Sequence, residues 1–232
     1  MSKHLQRDLE RLNERILTLG AKVEEAANKA ITALLARRRD LADEVCAGDE
    51  AIDEGEVEIE LECLKILALH QPVAQDLRYI VSVLKVNNDL ERIGDLAVNL
   101  AERALLLLEY EPIRVPVDLP RMADDVRTMI HTALESLVQR DARQAREVLA
   151  MDDRVDETHT HMFEAVEQLI REDVDRIRPA IATLSASRYL ERMADLATNV
   201  AEDVVFLVEG EVIRHATVPV DEDAATAEDA TA

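Results

Sequence analysis

No tryptophan occurs in the 232-residue chain, phenylalanine and tyrosine together make up only 2% of it, and there are just five glycines. A chain so poor in aromatics and glycine, and so rich in Ala, Leu, Val, Glu and Arg, favours straight helices over sheets. Cysteine is nearly absent as well. Cys46 and Cys63 lie in helical patterns with no CxxC partner, which excludes a zinc knot or a disulfide framework and leaves two free thiols. Basic charge is outnumbered, with 27 Lys and Arg against 49 Asp and Glu, a net charge of -22. Nucleic-acid binders use a basic face to neutralise phosphates, so a nucleic-acid partner is excluded and anionic membrane surfaces are disfavoured. No apolar run approaches the length of a membrane span, and the N-terminal MSKHLQRDLERLNERILTLG reads as an amphipathic helix rather than a signal peptide. The expectation is a cytoplasmic protein without direct membrane insertion. Nor is there a phosphate-cradling glycine loop or a nucleophile elbow, so phosphoryl and acyl transfer have no visible machinery.

What is present is periodicity. Leu5, Leu9, Leu12, Ile16, Leu19 and Val23 recur every three or four residues and predict a long first helix reaching about Arg38. A second is predicted from about Leu41 to His70, with Val45, Ile52, Ile59, Cys63 and Ile66 on one face, closed by Gln71 and Pro72. A third runs from about Val73 to Leu108. The stretch EPIRVPVDLP, Glu111 to Pro120, carries three prolines and reads as a linker. The pattern then restarts with a fourth helix marked by Met122, Val126, Met129, Ala133 and Leu137. A fifth is predicted from Ala142 to about Arg171, and a sixth opens at Pro179 and ends near Gly210.

The two halves repeat. LERIGDLAVNLAE at Leu90 to Glu102 returns as LERMADLATNVAE at Leu190 to Glu202, with nine of thirteen positions identical, and Asp49 to Asp53 matches Asp152 to Asp156. The expected fold class is therefore all-α: two tandem three-helix bundles, six long helices related by an internal repeat. The expected domains are residues 1–110 and 121–215, joined by the linker 111–120, with a disordered acidic tail over 216–232.

The repeated segments carry acid pairs four residues apart: Asp49 with Asp53, Glu91 with Asp95, Asp152 with Asp156, and Glu191 with Asp195. Residues at that spacing lie roughly 40° apart around a helix, so each pair projects two carboxylates side by side. Like charges so placed destabilise a helix by about 0.2–0.5 kcal/mol per pair, which a cation would relieve. In the third helix Leu90, Ile93, Ala97, Leu100 and Ala104 form the core stripe, and Asn88, Glu91, Asp95, Asn99 and Glu102 lie roughly opposite, facing outward. This argues against a di-iron site inside a bundle, whose Glu-x-x-His ligands point into the core, a motif the chain lacks. Oxygen-only ligands favour Mg, Mn, Ca or ferric iron. The competing reading is that such acids form a solvated helix face and hold nothing. His159 and His161 stand two apart, face different directions on a helix and form no ligand pair. Arg92 and Arg192 are expected to pair with neighbouring acids rather than bind an oxyanion.

The run QPVAQDLRYIVSVLKVNNDLERIGDLAVNLAE, with the second LERMADLATNVAE, AGDEAIDE and MDDRVDE, resembles the PhoU family, regulators that accompany the high-affinity phosphate transporter of bacteria. The resemblance implies two similar three-helix bundles and surface metal sites at Asp49, Asp53, Glu91, Asp95, Asp152, Asp156, Glu191 and Asp195. The metal it implies is iron, with manganese, magnesium or zinc as alternatives. It further implies a negative regulator of phosphate uptake and of the phosphate-starvation response. That regulator would be a non-catalytic adaptor between the transporter's ATPase subunit and a PhoR-type sensor histidine kinase. Where relatives often read GDHA in the second repeat, this chain has Ala194, Asp195, Leu196 and Ala197, which removes an imidazole. The stripes of the first and fourth helices make a homodimer the expected assembly. A carboxylate-bridged metalloenzyme on a helical bundle is the alternative reading.

Overall fold

The computed structural model describes residues 3–213, so the tail expected to be disordered over 216–232 lies outside the described residues. Among the described residues every regular element is helical: α1 (Lys3–Ala36), α2 (Arg39–Gly48), α3 (Glu50–His70), α4 (Ala74–Leu107), α5 (Leu119–Gln139), α6 (Ala142–Leu149), α7 (Asp152–Glu172) and α8 (Ile177–Glu209), with a 3-10 turn at Val174–Arg176. Six of these helices are long, as the sequence predicts. The second and fifth differ in one respect from the expectation of unbroken helices over Leu41 to His70 and Ala142 to Arg171: each is broken, at Asp49 and at Ala150 and Met151. No proline marks either break. The apolar register runs through them, Val45 and Ile52 both being buried two turns apart, so periodicity alone passes over the fault. At Asp49 the backbone tightens locally, its carbonyl accepting from both Ile52 N at 2.8 Å and Asp53 N at 3.1 Å. α1 likewise stops at Ala36 rather than Arg38, because Arg37 turns left-handed.

Local chemistry sets the other boundaries. Gln71 adopts a left-handed conformation ahead of Pro72 and closes α3. Asp118 caps α5 by accepting from Arg121 N at 3.1 Å, with Pro120 in the first turn where it loses no helical bond. Asp141 caps α6 in the same way, accepting from Arg143 N and Gln144 N. α8 ends at Gly210, whose φ of 80° few other residues tolerate.

In the assembled fold α4 and α8 lie antiparallel at the centre. α1, α2 and α3 flank α4, and α5, α6 and α7 flank α8. One continuous apolar core contains the predicted stripes of both repeats, from Leu12, Ile16, Ile59 and Leu100 to Met122, Met129, Leu190 and Val200. Across the seam, Lys85 reaches the fully buried carboxylate of Asp203 at 3.2 Å and stacks over the Phe206 ring at 5.0 Å. The segment between α4 and α5 lays Ile113, Val115 and Val117 against a second, smaller cluster of Met162, Val166, Leu169 and Ala180. Its apolar side chains are therefore part of the packing under α7.

Candidate metal centres

The breaks in the second and fifth helices matter because of what stands at them. Asp49 sits at the junction of α2 and α3, Asp53 in the first turn of α3, and Asp95 midway along the adjacent α4. The corresponding residues of the second repeat are Asp152 and Asp156 at the start of α7 and Asp195 on α8. Each trio converges: one carboxylate oxygen from each of Asp49, Asp53 and Asp95 lies within 4.8 Å of the others, and the same holds for Asp152, Asp156 and Asp195. Short-range sequence spacing accounts for the pairs on α3 and α7. The third aspartate comes from another helix, and packing delivers it. The partial positive charge at the N-termini of α3 and α7 favours carboxylates there.

The electrostatics of the two trios are alike in kind and different in degree. Partial burial first, then the charges of Asp53 and Asp95, pushes the Asp49 carboxyl above its ordinary range. Burial and the neighbouring Asp156, Asp195, Asp153 and Glu191 push Asp152 further, to about 6. Glu91 is raised by burial and by Asp95, Asp53 and Glu56. Glu191 is raised by burial, Asp195 and Asp156, with Arg188 and Arg192 opposing. Both glutamates thus stand beside their trios, on the rim. In each trio a buried oxygen, Oδ1 of Asp49 and Oδ1 of Asp152, has no hydrogen-bond partner among the described residues. A partly buried carboxylate that lacks a donor and is repelled by two others is the arrangement a hard cation relieves. The residues present therefore fit a metal. Asp49, Asp53 and Asp95 would hold it in the first centre and Asp152, Asp156 and Asp195 in the second, while Glu91 and Glu191, also expected as ligands, lie outside the convergent groups.

Two neighbours escape a reading by acid pairs alone. One turn beyond Asp53 stands Glu56, and at the same place beyond Asp156 stands His159. Glu56 is raised by burial and by Glu60 and Asp53. His159 is pulled down by burial and by Arg188 while Asp156 opposes, and its Nδ1 lies 3.0 Å from Ser187 Oγ. Lining up the two repeats at Asp49 and Asp152 would have revealed both. Asn99, by contrast, turns back to donate to the Asp95 carbonyl at 2.8 Å, so its amide is committed to its own helix. Arg92 lies 3.8 Å from Asp89, the acid pairing expected of it.

Duplicated long helices fused along a central antiparallel pair, each copy bearing one outward acidic trio, define a class of helical repeat protein with twin carboxylate centres. The PhoU domain model matches twice, over residues 16–104 and 119–204, and the chain belongs to the PhoU family. It is 39% identical over 211 residues, 91% of this chain and 96% of the relative, to a phosphate-specific transport system accessory protein PhoU homolog of Aquifex aeolicus. To the homolog of the same description from Pseudomonas aeruginosa it is 36% identical over 93% of this chain and 89% of that one. Among solved structures, PhoU from Pseudomonas aeruginosa superposes with a TM-score of 0.86 at 36% identity, covering 89% of this chain and 99% of that one. The phosphate transport system regulatory protein PhoU from Streptococcus pneumoniae gives 0.77 at 28% identity, covering 90% and 98%.

Proposed function

We propose that this protein is a phosphate-transport accessory protein that restrains phosphate uptake and the phosphate-starvation response. It acts as a non-catalytic adaptor between the ATPase subunit of the phosphate transporter and a PhoR-type sensor histidine kinase, working in the cytoplasm as a homodimer. The observation that carries this reading is agreement over nearly the whole length, in sequence and in fold, with proteins named as accessory or regulatory components of phosphate transport. No helix among the described residues is long and apolar enough to cross a membrane, so attachment to a membrane transporter would come through partner proteins.

The metal centres are part of the proposal. Iron is the leading occupant, with manganese, magnesium or zinc as alternatives, on the carboxylates of Asp49, Asp53 and Asp95 and of Asp152, Asp156 and Asp195. A bound cation would supply positive charge that ties α3 to α4 and α7 to α8. The carboxylates lie on outward faces, Asp53, Asp95, Asp156 and Asp195 being exposed, which suits a structural or signalling ion better than a sequestered reaction. Cross-linked affinity purification of the tagged protein from its host, phosphate-replete against phosphate-starved, tests the adaptor reading. Recovery of the transporter ATPase or a sensor kinase supports it. Recovery of neither, with metal still tightly bound, turns the interpretation to a carboxylate-bridged metalloenzyme.

A further inference from the structure

α3 is apolar on two opposite faces. Ile52, Ile59, Cys63 and Ile66 point into the core, as they must. On the far side, Val57, Leu61, Leu64 and Ala68 recur at spacings of four and three and form a second stripe, directed at solvent: Val57 is 49% exposed, Leu61 61% and Leu64 51%. Scattered apolar residues on a surface need no explanation, but a regular stripe along one helix does. A helix that is apolar all round is ordinarily covered on both sides.

The molecule contains its own control. α7 is the repeat of α3 and packs on α8 through Val155, Met162, Val166 and Leu169. At the places of Val57, Leu61, Leu64 and Ala68 it carries Thr160, Glu164, Glu167 and Arg171. The fold is thus satisfied with polar residues on that face, and the leucines of α3 are not there to stabilise the bundle.

Charge identifies what covers the stripe. It is bordered by Asp53 and Glu60 on one side and by Glu54 and Glu58 on the other, with Glu50 at its head. Arg15 pairs with Glu58 at 2.8 Å, and the one lysine on the face, Lys65, is held by Glu62 at 3.1 Å. Glu50, Glu54 and Glu60 have no cation within ion-pairing distance among the described residues. A second copy of this chain laid on the stripe would bring these acids against one another, and an anionic lipid surface would meet the same repulsion. We infer that the outer face of α3 docks a cationic amphipathic helix of a partner protein. The partner's apolar residues seat on Val57, Leu61 and Leu64, and its lysines or arginines meet Glu54 and Glu60. The inference goes beyond the adaptor reading and stands without it, since it depends on neither the partner's identity nor the metal.

The probe is a fluorescent synthetic peptide of ~18 residues with leucine at i, i+3, i+4 and i+7 and lysine elsewhere, titrated against the purified full chain at physiological salt. Fluorescence anisotropy should show saturable binding. Leu61→Gln combined with Leu64→Gln, which leaves the net charge unchanged, should weaken it about tenfold or more while the circular dichroism stays the same. Val57→Gln alone should weaken it less. Glu164→Gln with Glu167→Gln on α7, which removes two charges elsewhere, should leave the affinity within about twofold. Failure of the wild type to bind overturns the inference outright, and equal affinity in the leucine double variant overturns it by reducing the effect to diffuse attraction to an acidic protein. So does sedimentation showing that the same variant converts a dimer to a monomer, which would assign the stripe to a second copy. Leucine-dependent flotation with anionic vesicles would overturn it in favour of a lipid surface.

Discussion

The two halves of this protein share a backbone plan and a trio of aspartates, and they differ in what surrounds each trio. Beside the first trio stands Glu56, and beside the second His159. The second trio is the more heavily desolvated, which is why Asp152 is raised to about 6 while Asp49 is raised less. Core packing next to the trios is also exchanged. Gly94 lets the Ile52 side chain approach so closely that an added methyl would meet it at 3.1 Å. In the second repeat the glycine has become Ala194 and the isoleucine Val155, so one methylene has moved from one helix to the other. The comparison teaches that the duplicated chain has kept the convergence of three carboxylates while letting the side chains beside them, the packing and the outer surface drift apart.

The largest effect should come from the part the halves share, the core. Leu100→Asp and Val200→Asp each place a charge in a fully buried position of the same continuous cluster. Each is expected to cost roughly 4 kcal/mol or more and to abolish the helical signal in circular dichroism. If one variant alone unfolded and the other stayed fully helical, the halves would have separate cores. Next come the trios. Asp95→Ala and Asp195→Ala should leave helicity intact, since both side chains face solvent. Each should weaken metal binding about 10- to 100-fold in its own centre only, read as loss of one of two phases in a manganese titration. Parallel loss of both phases would mean that the centres are one.

The neighbouring residues should separate the centres by metal. An imidazole favours zinc more than a carboxylate does, so zinc is expected to prefer the second centre by about tenfold. Competition between zinc and magnesium should show that preference disappearing in His159→Glu.

A smaller effect concerns pH in the presence of chelator. Asp152 holds its proton more tightly folded, at about 6, than unfolded, at 3.8, so its charged form opposes folding. The penalty is complete above about pH 6 and fades as the pH falls toward 3.8. Asp152→Asn should therefore melt a few degrees above the wild type at pH 8, with the difference closing on acidification; partial exposure of the group keeps it small. Asp49→Asn should move the same way by less. A wild type that is the more stable of the two at pH 8 without metal would contradict the desolvation argument.

The smallest expected effect is the packing exchange. Ile52→Val should cost about 1 kcal/mol. Gly94→Ala alone should be nearly neutral, its gain in helix propensity offset by crowding against Ile52. Made together, in imitation of the second repeat, they should be more stable than the sum of the singles by about 1 kcal/mol, measured by a urea double-mutant cycle.

Much of this was legible in the chain itself. The core stripes of the first, third and fourth helices stand out because a period near 3.6 is imposed on every turn of a helix that buries one face. The proline-rich segment announced the break between repeats because proline cannot donate a backbone hydrogen bond. The outward direction of Glu91 and Asp95 followed from the same wheel that placed Leu100 inside. The breaks at Asp49 and Met151 were not legible, since the apolar register passes through them unchanged. Neither was the partnership of Lys85 with Asp203, because those residues belong to helices far apart in sequence and nothing local couples them.

The amino-acid sequence by itself determined that this chain folds into long helices, that it folds the same way twice, and that Glu91 and Asp95, with their repeats Glu191 and Asp195, lie on a helix face turned from the core. Those are consequences of composition, local period and repetition, which act within a few turns of chain. Tertiary structure alone decided which acids meet. Asp95 joins Asp49 and Asp53, and Asp195 joins Asp152 and Asp156, because α4 packs on α3 and α8 on α7. It also left one face of α3 apolar and uncovered while α7 is polar there, a distinction that exists only once the core has claimed the opposite side.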